Sequence, residues 1–208
     1  MPLISDQGAK RIGDAISAAE RQTSGEIVAV ITAESSSYLY APFLWAAIVS
    51  LLVPWPLIEF TWWPATWIYL TQLAVFLALL VAFLPKRVRR WLVPHSIKRA
   101  QARRRAREQF LVQNLHTTAG RTGVLIFVSL AERHAEILAD AAINARVPDG
   151  TWQEIVDTLT REIGAGRPVE GFVAAVTAVG RHLATHFPPG SADADELPNH
   201  LIMLAEQD

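Results

Sequence analysis

Cysteine is absent from the 208 residues, which excludes disulfides, thiolate metal sites and a cysteine nucleophile. Charge is nearly absent from one long stretch: between Ser35 and Pro85 only Glu59 is charged. Acids are absent from the next, where residues 85–107 hold ten Lys or Arg and no Asp or Glu. No GxSxG, P-loop or dinucleotide glycine pattern occurs, so none of those catalytic or nucleotide-binding signatures is available. The opening MPLISDQGAKRIGDAISAAERQ lacks an apolar h-region, which predicts that no secretory signal peptide directs it outward. No internal repeat is visible.

A chain of this length holds one ordinary domain, or a smaller domain plus membrane segments. The placement of residues favours the second. The formal net charge of -1 hides the basic block and an acidic remainder, with fourteen acids against six Arg from Glu108 to Asp208. A hydrocarbon core takes roughly 20 apolar residues to cross, and residues 38–57 and 62–84 are the two predicted transmembrane helices. A buried core hairpin is the alternative, but fifty nearly charge-free residues exceed what a small soluble domain needs. Tyr38, Tyr40, Trp55, Trp62, Trp63 and Trp91 fall near the predicted ends, where amphipathic rings favour the headgroup layer, although Trp45 and Trp67 lie further in. Pro54 and Pro56 break the first helix near its end, and Pro64 suits the first turn of the second. PKRVRR and KRAQARRRAR follow the second span. Basic residues in short loops are retained inside, so the expected layout is a multi-pass protein of the inner (plasma) membrane with both termini cytoplasmic.

The flanks read as one α/β unit, a small central sheet flanked by helices, with the transmembrane helical hairpin inserted in it. Ile12, Ala15, Ile16, Ala19 and Thr23 share a helical face. Residues 26–32 then set Ile27, Ala29 and Ile31 against Val28, Val30 and Thr32, a strand covered on both sides. Its sheet neighbours come only after the apolar stretch. GVLIFVSL at 123–130 and a shorter run at 135–139 read as strands joined by a hairpin at AERH, the first parallel to 26–32 through the basic helix as crossover. Thr151-x-x-Glu154 reads as a capping box opening a helix whose face carries Trp152, Ile155, Val156, Leu159 and Ile163, and 168–187 repeats the pattern. The expected organisation is one split domain at 1–37 and 96–190, spans at 38–57 and 62–84, a basic juxtamembrane segment at 85–107 and an acidic tail at 191–208. That tail reads as a loose extension, whose LPNHLIML segment either adds to a sheet edge or docks on a partner.

GEIVAVI after an amphipathic helix, Ala106-x-x-x-Phe110, GVLIFVSLAERHAEILAD, Trp152 opening a helix and GRHLATHFPP after another resemble the TPM domain, in particular its membrane-bound bacterial members. The likeness covers residues 3–37 and 98–190, and order and spacing carry it. It implies a compact α/β sandwich. It also implies one of several activities: phosphatase action or divalent-cation binding in some members, repair or assembly of membrane protein complexes in others. Many members carry a signal peptide and a C-terminal anchor; this chain departs from that plan with two spans inside the domain. Where the family's loop after the short strand usually offers glycines for close backbone approach, this one reads Asp140-Ala141-Ala142-Ile143.

Candidate chemistry falls into three groups. Glu132-Arg133-His134 lies at the expected hairpin tip, where Arg133 could hold a phosphate by two points and Glu132 or His134 move a proton; a solvated polar turn explains the same residues. Glu26 and Asp140, the acids nearest strand ends, could converge on a divalent cation such as Ca2+. His182 and His186 are spaced to share a metal, but HLATH lacks the Glu of HExxH and partly exposed structural histidines fit better. Arg87, Arg89, Arg90, Arg103, Arg104 and Arg105 are expected to contact anionic headgroups, each such charge contributing about 1 kcal/mol. Because the charges of 98–107 fall all round a helix, a helix lying flat in the interface fits poorly, and the acidic remainder argues against nucleic acid. The leading expectation is a binding or scaffolding module that supports other membrane proteins. The alternative is a metal-assisted phosphatase-like hydrolase using Arg133 with Glu26, Glu132 or Asp140; a transport subunit lacks intramembrane charge.

Overall fold

A seven-residue strand that is apolar on both faces is stable only where sheet neighbours flank it and helices cover it, and that requirement organises the fold. The computed structural model describes residues 3–118, 120–148, 150–189, 197 and 199–204. The elements run α1 (Asp6–Glu20), β1 (Glu26–Thr32), α2 (Tyr40–Leu52), α3 (Pro54–Phe60), α4 (Ala65–Phe83), α5 (Lys86–Leu92) and α6 (His95–Val112). There follow β2 (Gly123–Ser129), β3 (His134–Ala139), α7 (Ala141–Asn144), α8 (Thr151–Gly164), α9 (Pro168–His186) and β4 (Leu201–Leu204). The chain divides into two units, one formed by 1–36 with 99–208 and the other by 37–98.

In the first unit the sheet order is β3-β2-β1-β4. β1 lies parallel to β2, with Glu26 opposite Gly123 and Thr32 opposite Ser129, and parallel to β4; β2 and β3 pair antiparallel. All seven residues of β1 are buried, as are all seven of β2. Alternation sends Ile27, Ala29 and Ile31, with Val124, Ile126 and Val128, into one core shared with Ile12, Ile16, Leu159, Phe172 and Val176 from the helices. The opposite faces, Val28 and Val30 with Leu125 and Phe127, pack with Ala106 and Phe110 of α6. Each large apolar side chain buried in this way contributes about 1.5–3 kcal/mol relative to exposure. The expected α/β architecture, parallel β1–β2 pairing and β2–β3 hairpin are therefore present. The tail differs from a loose extension: Leu201–Leu204 adds a strand to the free edge of β1, because Leu201 is apolar and buried against the sheet. Residues 191–196, 198 and 205–208 of that tail lie outside the described residues.

Local chemistry fixes the helix ends. Ser5 caps α1, its hydroxyl accepting the Gly8 N–H at 3.2 Å. The expected capping box at Thr151 is not formed. Gly150 holds the cap position at φ +88, and its carbonyl accepts from the N–H groups of Gln153 and Glu154 at 3.0 and 3.3 Å. The left-handed backbone that only glycine adopts readily starts the helix one residue sooner and places Thr151 inside it. Helices α1 and α9 cross closely at Gly180, where a Cβ would lie 2.6 Å from that of Ala19. At the α8–α9 turn Arg167 Nε donates to Glu162 at 2.7 Å. That hydrogen bond, opposed by desolvation and aided by the charge, holds the Glu162 carboxyl below its usual range.

In the second unit α2 and α3 together make an apolar run of 21 residues and α4 one of 19. At 1.5 Å per residue each is about 30 Å long. Pro54 opens α3 just after α2 ends, and Pro64 immediately precedes α4, as their missing N–H groups require. Tyr38, Ala41 and Val93 form a small buried cluster, and the Trp45 indole N–H donates to the Leu92 carbonyl at 3.1 Å.

Two outcomes check this packing by thermal unfolding of the full chain in detergent, followed by circular dichroism. Gly180→Ala should cost roughly 1–3 kcal/mol by overpacking. Adding Ala19→Gly should recover part of that loss, although alone it weakens α1 by up to about 1 kcal/mol. Arg167→Met should lower the midpoint slightly at neutral pH. A depressed carboxylate stabilises above its unfolded range and loses that contribution as pH falls through the folded value, so the difference should vanish in acid.

Candidate functional site

The candidate residues separate onto the two ends of the sheet. Glu26 opens β1 opposite Gly123, and the Asp140 N–H donates to the Gly123 carbonyl at 2.9 Å. These two acids therefore flank one strand end, as a shared cation would require. Both are buried, and the Asp140 carboxylate caps the four-residue α7 by accepting the Ala141 N–H at 2.6 Å. Ca2+ takes six to eight oxygens. Among the described residues no group of three or more His, Asp or Glu is placed to hold a metal.

Glu132 and Arg133 lie at the other end, where β2 turns into β3. Seven residues of β2 separate the ends, about 20 Å at a strand's rise per residue. The alternative that joins Arg133 to Glu26 or Asp140 in one hydrolytic site is thus corrected by topology: the antiparallel return of β3 carries Asp140 back to the start of β2.

The turn itself is built, not merely solvated. Leu130 and Ala131 N–H groups donate to the carbonyls of Thr32 and Ala33 at 3.1 and 2.9 Å. Glu132 is buried, and both its oxygens accept the Ser35 N–H at 3.2 Å. Ser129 Oγ donates to the same carboxylate, and Ser35 Oγ donates to Ser129 Oγ at 2.9 Å. Glu132 thus ties the segment after β1 to the β2–β3 turn. Arg133 sits at φ +49, an uncommon backbone for a side chain with a Cβ. His134 Nε2 lies 3.0 Å from Glu136 Oε2.

Two cavities adjoin this turn. One, of about 380 Å³, is walled by Val128, Leu130, Ala135 and Ile163 with Arg133 and Thr160. The other, of about 430 Å³, is walled by Arg99, Arg103, Arg133 and His134 with Gln153 and Asp157. Both include Arg133, His134, Ala135 and Thr160. Arg99 and Arg103 belong together because residues four apart share a helix face; that spacing was the sequence signal, diluted by basic residues on every side of α6.

The remaining candidates are dispersed. Arg89 is buried, whereas Arg87 is exposed and Arg90 half-buried. Arg104 and Arg105 both pair with Glu108, at 3.0 and 3.3 Å. The Arg104 hydrogen bond holds the Glu108 carboxyl below its usual range, with Arg105 aiding and desolvation opposing. His182 meets the Trp152 ring edge-on at 6.4 Å between centroids, and the His186 carbonyl accepts from Arg146 at 3.1 Å.

Comparison with known proteins adds the following. The TPM domain family matches residues 91–182. No curated protein matches the chain. The NMR structure of BA42 protein from the psychrophilic bacterium Bizionia argentinensis superposes with a TM-score of 0.61 at 21% identity, covering 97% of this chain and 95% of that one. At that identity the likeness is one of fold.

Glu132→Ala should lower stability by about 2 kcal/mol, since it strands buried donors. Thermal unfolding of the full chain checks it, and an unchanged midpoint would contradict the tether.

Proposed function

We propose that this chain is a membrane-anchored TPM-like binding or scaffolding module that supports other membrane proteins, with α2–α3 and α4 as its two spans and both termini cytoplasmic. The observation that carries the reading is exposure. A core helix of a soluble protein is mostly buried, whereas only 22% of the Tyr40–Phe60 window and none of the Ala65–Phe83 window is covered by protein. Leu51, Leu52, Trp55, Phe60, Trp62 and Val81 are each more than three-fifths exposed. An apolar surface of this extent is unstable in water and is solvated by lipid at no such cost. Both runs have the length of a hydrocarbon core. Arg87 and Arg90 follow the second run directly, which favours a cytoplasmic location for what precedes and follows the spans, against anionic headgroups.

Binding is favoured over hydrolysis because Glu26 and Asp140 lie at the opposite end of the sheet from Arg133, and Glu132, beside Arg133, is engaged by Ser35 and Ser129. The fold itself supports no particular activity.

Carbonate washing should leave the full chain in the membrane pellet, and reporters fused at residue 208 should signal from the cytoplasm; release by carbonate, or a signal from the far side, removes the anchoring or the orientation respectively. Purified chain should not turn over a generic phosphate ester with Ca2+, Mg2+ or Mn2+. Turnover lost in both Glu26→Gln and Asp140→Asn would instead support the hydrolase.

A further inference from the structure

We propose that the free edge of β3 takes an extended peptide segment of a partner protein as an added strand, one whose successive side chains are apolar, acidic and apolar. This names the partner chemistry of the binding module proposed above and rests on that reading. β3 pairs with β2 and ends the sheet order β3-β2-β1-β4, so no strand lies on its other side. In an antiparallel ladder, residues that exchange both backbone bonds with the neighbouring strand alternate with residues that point both groups away. The Asp140 N–H donates to the Gly123 carbonyl at 2.9 Å, and stepping back by two along the register turns Leu138, Glu136 and His134 toward β2. Ala135, Ile137 and Ala139 therefore direct their N–H and C=O groups to the free edge. Asn144 Nδ2 donates to the Ala139 carbonyl at 2.7 Å. Among the described residues the outward groups of Ala135 and Ile137 meet no such partner.

An edge of this kind pairs with other chains unless Lys, Pro or a bulge blunts it. β3 reads HAEILA and keeps an unbroken register with β2 from His134 to Ala139, so it carries none of the three. Beside residues 134–137 lies the cavity of about 430 Å³, with Arg99 and Arg103 of α6 and Val156, Asp157 and Thr160 of α8 in its wall. Four strand residues span about 13 Å. A space with a helix on either side suits a single extended chain better than the sheet edge of a second copy, which would bring its own α6 and α8. The chain already adds one short strand to its sheet, Leu201–Leu204 on β1.

The walls select the side chains. Ala135 and Ile137 enter the core under α8 and Leu138 packs in the one under α6, and residues opposite one another in a sheet share a face. An added strand thus turns alternate side chains toward Val156 and Thr160, where apolar groups fit, and the one between them toward Arg99 and Arg103. The wall is mixed in charge: Arg99, Arg103 and Arg133 stand against Glu136, which faces His134 at 3.0 Å, and Asp157, which accepts from Gln153 Nε2 at 2.7 Å. With His134 neutral, three positive charges against two negative leave an excess of one, which suits a single acid and not an acidic run.

Fluorescence anisotropy of the labelled peptide Thr-Val-Glu-Val-Thr, blocked at both ends and titrated with the full-length chain in zwitterionic micelles, tests the edge. The peptide should bind. Methylating its backbone nitrogens should weaken binding about tenfold or more, the loss of strand hydrogen bonds, and so should Lys in place of its Glu. Ala135→Pro removes an outward N–H without touching the ladder to β2. It should weaken the peptide about tenfold and leave the thermal midpoint near that of the unsubstituted chain; if it unfolds, the methylated peptide probes the same contact from the partner's side. Arg99→Glu with Arg103→Glu should reverse the preference, so that the Lys peptide binds more tightly than the Glu peptide. No binding of the Glu peptide, or binding indifferent to methylation or to the reversal of charge, would overturn the proposal. A dimer of the chain abolished by Ala135→Pro would also overturn it, by giving the edge to a second copy. Retention in carbonate-washed membranes and the absence of ester turnover do not depend on these outcomes, so the edge can fail while the anchored binding module stands.

Discussion

The pairing of β1 with β2 is the constraint on which the rest of the structure depends. β1 is synthesised before the apolar helices and is apolar on both faces, so it has no stable place until partners from beyond residue 98 arrive. With Glu26 set opposite Gly123, its odd and even residues feed two separate cores, one under α1, α8 and α9 and one under α6. A slip of one residue would exchange those faces and set the larger Ile27 and Ile31 against Ala106 where Val28 and Val30 now pack. Residues 37–98 are thus an insertion between two halves that are incomplete apart, and the loop closure this demands is tolerable because its entropic cost grows only slowly with length.

The same register sorts the polar residues. Antiparallel return of β3 carries Asp140 back beside Glu26, whereas the turn that permits the return leaves Arg133 at the far end. Each end then has its own chemistry. The Glu26 end buries its carboxylates and uses Asp140 to start a short helix. The other end uses Glu132 as an acceptor that fastens Ser35 and Ser129, and it brings Arg99, Arg103 and Arg133 to the wall of one cavity. A buried carboxylate that satisfies several donors stabilises the turn far more than a solvated one would, which gives Arg133 a rigid platform.

Much of the fold was legible in the residues. The strands at 26–32 and 123–129, the hairpin, and the helices at 151–164 and 168–186 follow from periodicity. The resemblance to the TPM domain by order and spacing agrees with the family match at 91–182 and with the fold of BA42. The helix departs from a capping box at Thr151 because Gly150, with a left-handed backbone, takes the cap position and leaves Thr151 inside the helix. The site was much less legible. Glu132 and Arg133 are adjacent in sequence, yet one is buried and the other borders two cavities. Nothing local distinguishes Arg99 and Arg103 from the basic residues around them. Arg89 is buried beside Arg90, which is not.

What the sequence determined by itself was periodic and compositional: apolar alternation, helical faces, the near-uncharged stretch and the basic block after it. These follow from the geometry of a strand or helix, which each residue experiences with its immediate neighbours. Only the tertiary structure decided which distant groups share a space. It separated Glu26 and Asp140 from Arg133, brought α6 beside the β2–β3 turn, and drew Leu201–Leu204 onto the edge of β1. Those outcomes depend on sheet order and register, long-range properties that no local window of residues contains.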